Sequence, residues 1–324
     1  MRLATFNVEH LDMPPRASLP IADRVAVLRP ILERLDADIL CLQEVNGQKV
    51  PGEGRRELIA LDQVLDGTQY ADRHRCATVS QSGKAGVGDT HNLVVISRYP
   101  IVDVREVRHT HIAPIGYVPV TATPEPARKS IAFDRPVLRA VLALPSGQQL
   151  VVHNVHFRAA LASPVAGQKR SASVWNSASG WAEGLFVSTM KRSAQALDLR
   201  LDVDHTLDDQ PDALVAVVGD LNAEAYEMPT RILMAGPDET GNPMLASRAL
   251  HSVADRLPED QRFTIVHGTR RQMLDHILLS PNLAQLLSGV SILHDTIVES
   301  SDHSAYAPLL GSSHAPMVAE FQLL

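Results

Sequence analysis

The sequence predicts an α/β (α+β) fold in which two packed β-sheets are flanked by helices. Three observations predict it. Apolar segments of strand length are numerous, and several follow one another directly, as hairpins do. Helical segments, at least three, are interspersed among them. No repeat and no linker interrupts the 324 residues, so one domain over 1–324 is expected. A single doubly wound sheet would need regular alternation of strand and helix, which the chain lacks.

"RLATFNVEHL" opens the chain as a strand in which Leu3, Thr5, Asn7 and Glu9 share a face, because strand side chains alternate. Over residues 21–36, Ile21, Val25, Leu28, Leu32 and Leu35 recur at helical spacing with charges between them. In the next strand, "DILCLQEV", Leu40, Leu42 and Glu44 fall on one face, so an apolar strand ends in a carboxylate. "NLVVISRYPI" is a strand stopped by Pro100. Residues 103–134 are Pro-rich and irregular and are expected as surface loops. "RPVLRAVLAL" and "QQLVVHNVHF" are strands joined by the hairpin signal "PSG". Residues 158–182 are small and polar, an insertion carrying Trp175 and Trp181, and 183–204 read as a helix. "ALVAVVGDLNAE", "MLDHILLS" and "APMVAEFQLL" supply the last strands.

Composition narrows the function classes. Hydrophobic content of 45% is ordinary for a globular protein, but with only 4% aromatic residues the core must rest on Leu, Val, Ile and Ala. A formal charge of −7 disfavours nucleic-acid binding by bulk attraction, while leaving room for a local basic cleft. The two cysteines, Cys41 and Cys76, form neither a zinc pattern nor a disulfide framework; Cys41, inside "ADILCLQEV", reads as a buried free thiol. The start "MRLATFNVEH" has no apolar signal-peptide core, and no stretch reaches the ~18 apolar residues of a membrane span. A cytoplasmic protein is the resulting expectation.

The polar residues at strand ends carry the chemistry. Asn7 with Glu9, Gln43 with Glu44, Asn154 with His156, Asp220 with Asn222, Asp275 with His276, and Ser313 with His314 each close or adjoin an apolar run. One such ending is a strand running into solvent. Six, rich in Asn, Asp, Glu and His, suggest strand ends converging on one cleft. Carboxylate and amide oxygens suit a hard cation such as Mg²⁺. A His oriented by an Asp suits general acid–base work. Together they describe metal-assisted hydrolysis of a phosphate ester.

In that order, "TFNVEH", "LCLQEV", "VISRYPI", "VVHNVHF", "VVGDLNAE", "LDHILLS" and "SSHAPMVAEF" resemble the endonuclease/exonuclease/phosphatase superfamily, the fold of DNase I-like nucleases, neutral sphingomyelinases and inositol-polyphosphate 5-phosphatases. The resemblance implies a four-layer sandwich with two mixed sheets inside and helices outside. It implies a Mg²⁺-dependent phosphoesterase, with Mn²⁺ as the alternative ion. The expected activity is nuclease-type hydrolysis of phosphodiesters, with nucleic acid among the candidate partners. Phospholipid, inositol-phosphate and small-molecule phosphatases share the fold, and a non-catalytic binding member is the remaining alternative.

Residue by residue, the resemblance makes Glu44 the main metal ligand, Asn7 its support and Glu9 a second acidic ligand. His156 would contact the scissile phosphate, Asp220 would activate the water, and Asn222 would bond the phosphate. Asp275 would orient the catalytic His. Asn154 and Arg158 are further phosphate-binding candidates, and Lys169, Arg170, Lys191 and Arg192 could form a basic rim. His153 reads as structural, and His276 as pointing away from the cleft. The insertion at 158–182 is expected to wall the cleft and set substrate choice.

The tail offers two histidines. His303 follows Asp302, as in the family's Ser-Asp-His ending, but "SAYAPLLG" after it reads as a loop. His314 precedes the alternating Met317, Ala319, Phe321 and Leu323 of a strand, which makes it the catalytic candidate. Ser313 then stands where relatives carry an Asp. The expectation is either weaker metal binding or Asp302 or Glu9 filling in.

Overall fold

The computed structural model describes residues 1–81, 85–125, 127–298 and 309–322. In chain order it forms β1 (Arg2–Leu11), α1 (Ile21–Leu35), β2 (Ile39–Val45), α2 (Ile59–Leu65), β3 (His74–Ala77), β4 (Asn92–Ser97), β5 (Ile101–Val107) and β6 (Val137–Ala143). There follow β7 (Gln149–His156), α3 (Ala178–Asp209), β8 (Leu214–Asp220), α4 (Met228–Met234), β9 (His251–Ser252), β10 (Asp275–Leu279), β11 (Leu287–Ile292) and β12 (Met317–Phe321). Short two-stranded ladders and single helical turns decorate this frame.

The first sheet has the order β11-β12-β1-β2-β4-β3, and the second β9-β10-β8-β7-β6-β5. Each is mixed. A parallel pair sits inside each, β1 with β2 and β7 with β8, and every other neighbour is antiparallel.

Alternation along the strands divides the apolar residues into layers. Leu3, Ile39, Cys41 and Val95 of the first sheet meet Val152, Ala216, Val218 and Ile277 of the second. Ala4, Phe6, Leu40 and Leu42, on the other face of the first sheet, bury Leu28, Leu32 and Leu35 of α1 and Leu61 of α2. Val151, Val215 and Val217 bury Ala196, Leu199, Val203 and Leu207 of α3 and Leu233 of α4. The result is the expected four-layer sandwich. Burial in the inner layers relies on aliphatic side chains, each contributing roughly 1.5–3 kcal/mol, as the scarcity of aromatics requires.

Two expectations need correction. Residues 103–134 are not only loops: β5 is the edge strand of the second sheet, and Ile115–Tyr117 pairs with Lys129–Ile131. The polar, charged sequence of β5 hid it, because an edge strand with exposed Val102, Asp103 and Val104 shows no buried pattern. The helix placed at 183–204 runs from Ala178 to Asp209. Its start is fixed by Ser177, whose side chain accepts from the Gly180 N–H, a cap worth about 1 kcal/mol.

Candidate active site

Topology explains why so many strands end in polar residues. The C-terminal ends of the parallel pairs β1/β2 and β7/β8 lie at one edge of the sandwich, and the antiparallel neighbours β4, β6, β10 and β12 begin there. That edge therefore collects Asn7 from β1, Glu44 from β2, His156 from β7 and Asp220 from β8. From the approaches to β10, β12 and β6 it collects Asp275, His314 and Arg135.

Strict alternation would put Glu44 with Leu40 and Leu42, facing the helices. Its φ of 61° and the register shifts of β2 against both neighbours turn it into the cleft instead. Glu9 and Asn222 also hold left-handed backbone, at 46° and 48°. Such conformations cost side-chain-bearing residues about 1 kcal/mol or more and gather at functional sites.

Asn7 is fully buried. Its amide donates to Glu44 Oε1 at 3.2 Å and to Asp220 Oδ2 at 3.0 Å, and its oxygen accepts from the Glu9 N–H at 3.0 Å. It joins the carboxylates of the two sheets. His156 Nε2 stands 3.5 Å from Glu44 Oε1 and 3.6 Å from Asp220 Oδ2. Asn222 gives Asp220 two further bonds, from its backbone N–H at 2.7 Å and its amide at 3.1 Å. His314 Nδ1 meets Asp275 Oδ2 at 2.8 Å, with both groups buried.

The charges are strongly perturbed. Burial, then the neighbouring Asp275 charge, pushes Asp220 up to about 7 despite the His314 cation and the Asn222 N–H. Burial opposes protonation of His314, but Asp275, then Asp220 and Glu9, outweigh it and raise it to about 10. Burial and the Arg135 cation hold His156 well below its ordinary value, so it is neutral. Burial works against the Glu44 charge, yet His91, His10 and Asn7 keep its pKa below the ordinary value.

The donor set fits a divalent cation. Glu44, His156 and Asp220 present ligand atoms within 4.8 Å of one another, and so do Asp220, Asp275 and His314. Asp275 Oδ1 is buried with no hydrogen-bond partner. Crowded carboxylates, one of them driven toward neutrality, are the setting a hard cation relieves.

Glu9 belongs to neither cluster and bonds Ser313 instead. Its Oε2 accepts from the Ser313 N–H at 2.7 Å and hydroxyl at 2.8 Å, so a carboxylate from β1 stands beside the serine. Asp302 and His303 lie outside the described residues.

Other expectations do not survive the geometry. Asn154 is fully buried: its amide donates to Leu42 O and Val94 O, and its oxygen accepts from Gln43 Nε2. It ties the sheets together and has no donor left for a phosphate. Arg158 is held by Asp134 at 2.5 Å, and Lys191 shares that carboxylate at 2.7 Å. Arg192 is buried and donates to Asn222 O, and Lys169 packs over Trp175. These residues form no free basic rim. Trp175 abuts α3 at Gly184, whereas Trp181 projects into solvent from the first turn of α3. His153 and His276, in contrast, stand where expected: His153 bonds Asp202 of α3, and His276 bonds the carbonyls of Ala223 and Met273, both away from the cleft.

Arg135 was not among the expected residues. Its Nη1 contacts both nitrogens of His156, at 2.9 Å from Nε2, and burial lowers its pKa. The sequence signal for it was position, immediately before an antiparallel strand. Most of the polar residues that stand out in the sequence close an apolar run, whereas Arg135 precedes one.

The sequence profile of the Endonuclease/Exonuclease/phosphatase family matches residues 4–303. The match stops short of His314, so the pairing of His314 with Asp275 rests on geometry. Three solved structures illustrate the shared fold, each covering 100% of both chains. A Leptotrichia buccalis endonuclease/exonuclease/phosphatase family protein aligns at TM-score 0.56 and 15% identity. A Bacteroides thetaiotaomicron mannosyl-6-phosphatase aligns at 0.59 and 13%, and an Archaeoglobus fulgidus AP endonuclease at 0.50 and 17%. No curated protein matches the chain. Among the described residues no helix is long and apolar enough to cross a membrane.

Proposed function

The chain belongs to the endonuclease/exonuclease/phosphatase family, whose members are phosphoesterases, and we propose that it is a Mg²⁺-dependent hydrolase of phosphodiesters. The observation that carries this reading is the buried Asp275–His314 pair, 2.8 Å apart, in one cluster with Asp220. Glu44 would hold the ion, with Glu9 in support and Asn7 fixing the carboxylate. When bound, Mg²⁺ would neutralise charge on the phosphate and the leaving oxygen.

The chain's own groups supply the rest. Asp220, held by Asn7 and by the backbone and side chain of Asn222, is placed to accept a proton from the attacking water. His314, raised to about 10, is a cation that can bind a phosphate oxygen or protonate the leaving group. His156, neutral and backed by Arg135, faces the same carboxylates and is suited to stabilise charge on the phosphate. Asn222 is suited to orient the phosphate from beside Asp220. No side chain is required as a covalent nucleophile.

A second reading, a small phosphomonoester as substrate, is favoured by one observation. Arg158 and Lys191 are neutralised by Asp134, and Arg192 is buried, so the expected tracking surface for a long polyanion is missing at these positions. The test is hydrolysis of bis-p-nitrophenyl phosphate against p-nitrophenyl phosphate, beside single-stranded DNA, duplex DNA, RNA and phospholipid. Glu44→Ala serves as the control. Turnover of the diester that requires Mg²⁺ or Mn²⁺ and disappears in Glu44→Ala is expected. Activity indifferent to metal, or unchanged in Asp220→Ala, would sink the proposal.

A further inference from the structure

Glu44 presents its two oxygens to different surroundings. Oε1 faces Asn7 and His156. Oε2 faces away from them, toward two histidines that the mechanism above does not use. His10 Nδ1 lies 3.3 Å from Oε2 and His91 Nδ1 lies 3.7 Å from it. The three ligand atoms fall within 4.8 Å of one another. Tetrahedral Zn²⁺ with bonds of 2.0–2.1 Å needs donors about 3.3 Å apart, close to what these contacts offer.

Arg135 Nη1 approaches His91 Nδ1 at 3.4 Å. An ion bound by the two histidines and Glu44 would replace that long contact, and Arg135 would keep His156.

The backbone holds both rings in place at a cost. His10 has φ 50° and His91 has φ 55°, the left-handed region, and their rings meet edge to face at 5.0 Å. The His91 N–H is fixed by Asn46 Oδ1 at 2.8 Å, and the His10 N–H by Glu44 Oε2 at 3.2 Å. Beside them lies a cavity of about 360 Å³ lined by Glu9, His10, Asp12, Arg16 and His91, room for a fourth ligand or a substrate group.

We propose that His10, His91 and Glu44 Oε2 form a second cation site, distinct from the oxygen-rich one at Glu44 Oε1. Two imidazoles and one carboxylate select a first-row transition ion such as Zn²⁺, Co²⁺ or Mn²⁺ over Mg²⁺. Glu44 would bridge the sites, one oxygen to each, as carboxylates do in paired-metal hydrolases. The open fourth position, facing the cavity, gives this site the form of a catalytic rather than a structural centre. The inference rests on the proposed function only in sharing Glu44.

The test reads binding, not turnover. Metal-free protein is titrated with Zn²⁺ by calorimetry in excess Mg²⁺, and with Co²⁺ by its visible absorption. One Zn²⁺ equivalent that survives Mg²⁺ is expected, with nitrogen-coordinated Co²⁺ bands. His10→Asn and His91→Asn should each weaken it about 10–100-fold. Asn tolerates left-handed backbone, so these variants keep the loops, and a urea melt confirms that they fold. No Zn²⁺ equivalent in excess Mg²⁺, or one with equal affinity in both variants, overturns the second site. Mg²⁺-dependent turnover alongside either result would leave the proposed function standing, whereas Zn²⁺ binding without turnover would do the reverse.

Discussion

Asp275→Asn removes the partner that keeps His314 charged. In the metal-free protein His314 is raised to about 10 against its burial, chiefly by the charge and hydrogen bond of Asp275. Without Asp275, burial is opposed only by the more distant Asp220 and Glu9 charges, and the ring should titrate well below 10. At 1.36 kcal/mol per pH unit the rise from 6.5 to about 10 in the intact protein is worth about 5 kcal/mol. Breaking one side of a buried ion pair costs about 3–5 kcal/mol by an independent route, so the two figures agree. The sign fixes the pH window. A histidine raised on folding stabilises fully below 6.5, and the contribution is lost as pH climbs toward about 10. Urea melts of the two proteins should therefore differ most below pH 6.5 and converge near pH 10. The direct assay is the imidazole NMR titration of His314 in chelator. A variant whose His314 still titrates above about 9 would refute the reasoning, because burial would then not be opposing the charge.

Four further outcomes are expected. Asn154→Ala should destabilise by about 3–5 kcal/mol in urea, because it removes the amide bonds to the carbonyls of Leu42 and Val94 and leaves Gln43 Nε2 only its long contact to Cys41 O; KM for the phosphodiester should not move in the folded fraction, and a raised KM would restore a phosphate-binding role. Arg135→Ala should lower kcat by about 10²–10³ if Arg135 supports charge through His156, and the His156 imidazole should titrate at higher pH once the cation is gone. Ser313→Asp should lower the Mg²⁺ concentration for half-maximal activity while destabilising the metal-free protein, since the new carboxylate faces Glu9; no change in either reading would mean that Glu9 already does the work. His314→Ala should abolish turnover and His303→Ala should spare it, as assayed on bis-p-nitrophenyl phosphate.

Much of the sandwich was legible because its inner strands are buried on both faces. Such strands read as continuous apolar runs, as in "DILCLQEV" and "ALVAVVGD", and burial leaves little freedom in composition. The edge strand β5 was not legible, since "IVDVREV" alternates weakly and faces solvent on one side. The polar ends of β1, β2, β7 and β8 were legible for a related reason. A buried strand can carry Asn, Asp, Glu or His only where it meets water or a partner, so each polar residue in an apolar run marked a boundary. Asn154 shows the limit of that inference. It lies in the same apolar run as His156 and on the same face, yet it is saturated by the opposite sheet while His156 faces the carboxylates. Sequence gives the face of a strand but not the depth at which the cleft begins.

Glu44 shows why alternation alone misplaces part of the site. Period-2 counting puts it among Leu40 and Leu42 on the helix side, where an ionised carboxylate would need a buried partner. A left-handed residue at the end of β2 reverses that, and Glu9 and His10 do the same at the end of β1. Local residue preference announces little of the reversal: His is enriched at φ > 0, but Glu, which holds that conformation at positions 9 and 44, is not. The conformation is imposed by the parallel pair: the register of β1 on β2 holds from Leu3 to Asn7, then slips before Leu11, and the slip frees the backbone to turn. Strain at these positions is thus the consequence of ending two paired strands at one cleft, and it brings Glu44 to Asn7 and to the two histidines together. Relaxing it would separate groups that the sequence places in unrelated segments, so the strained positions and the chemical ones coincide for a structural reason.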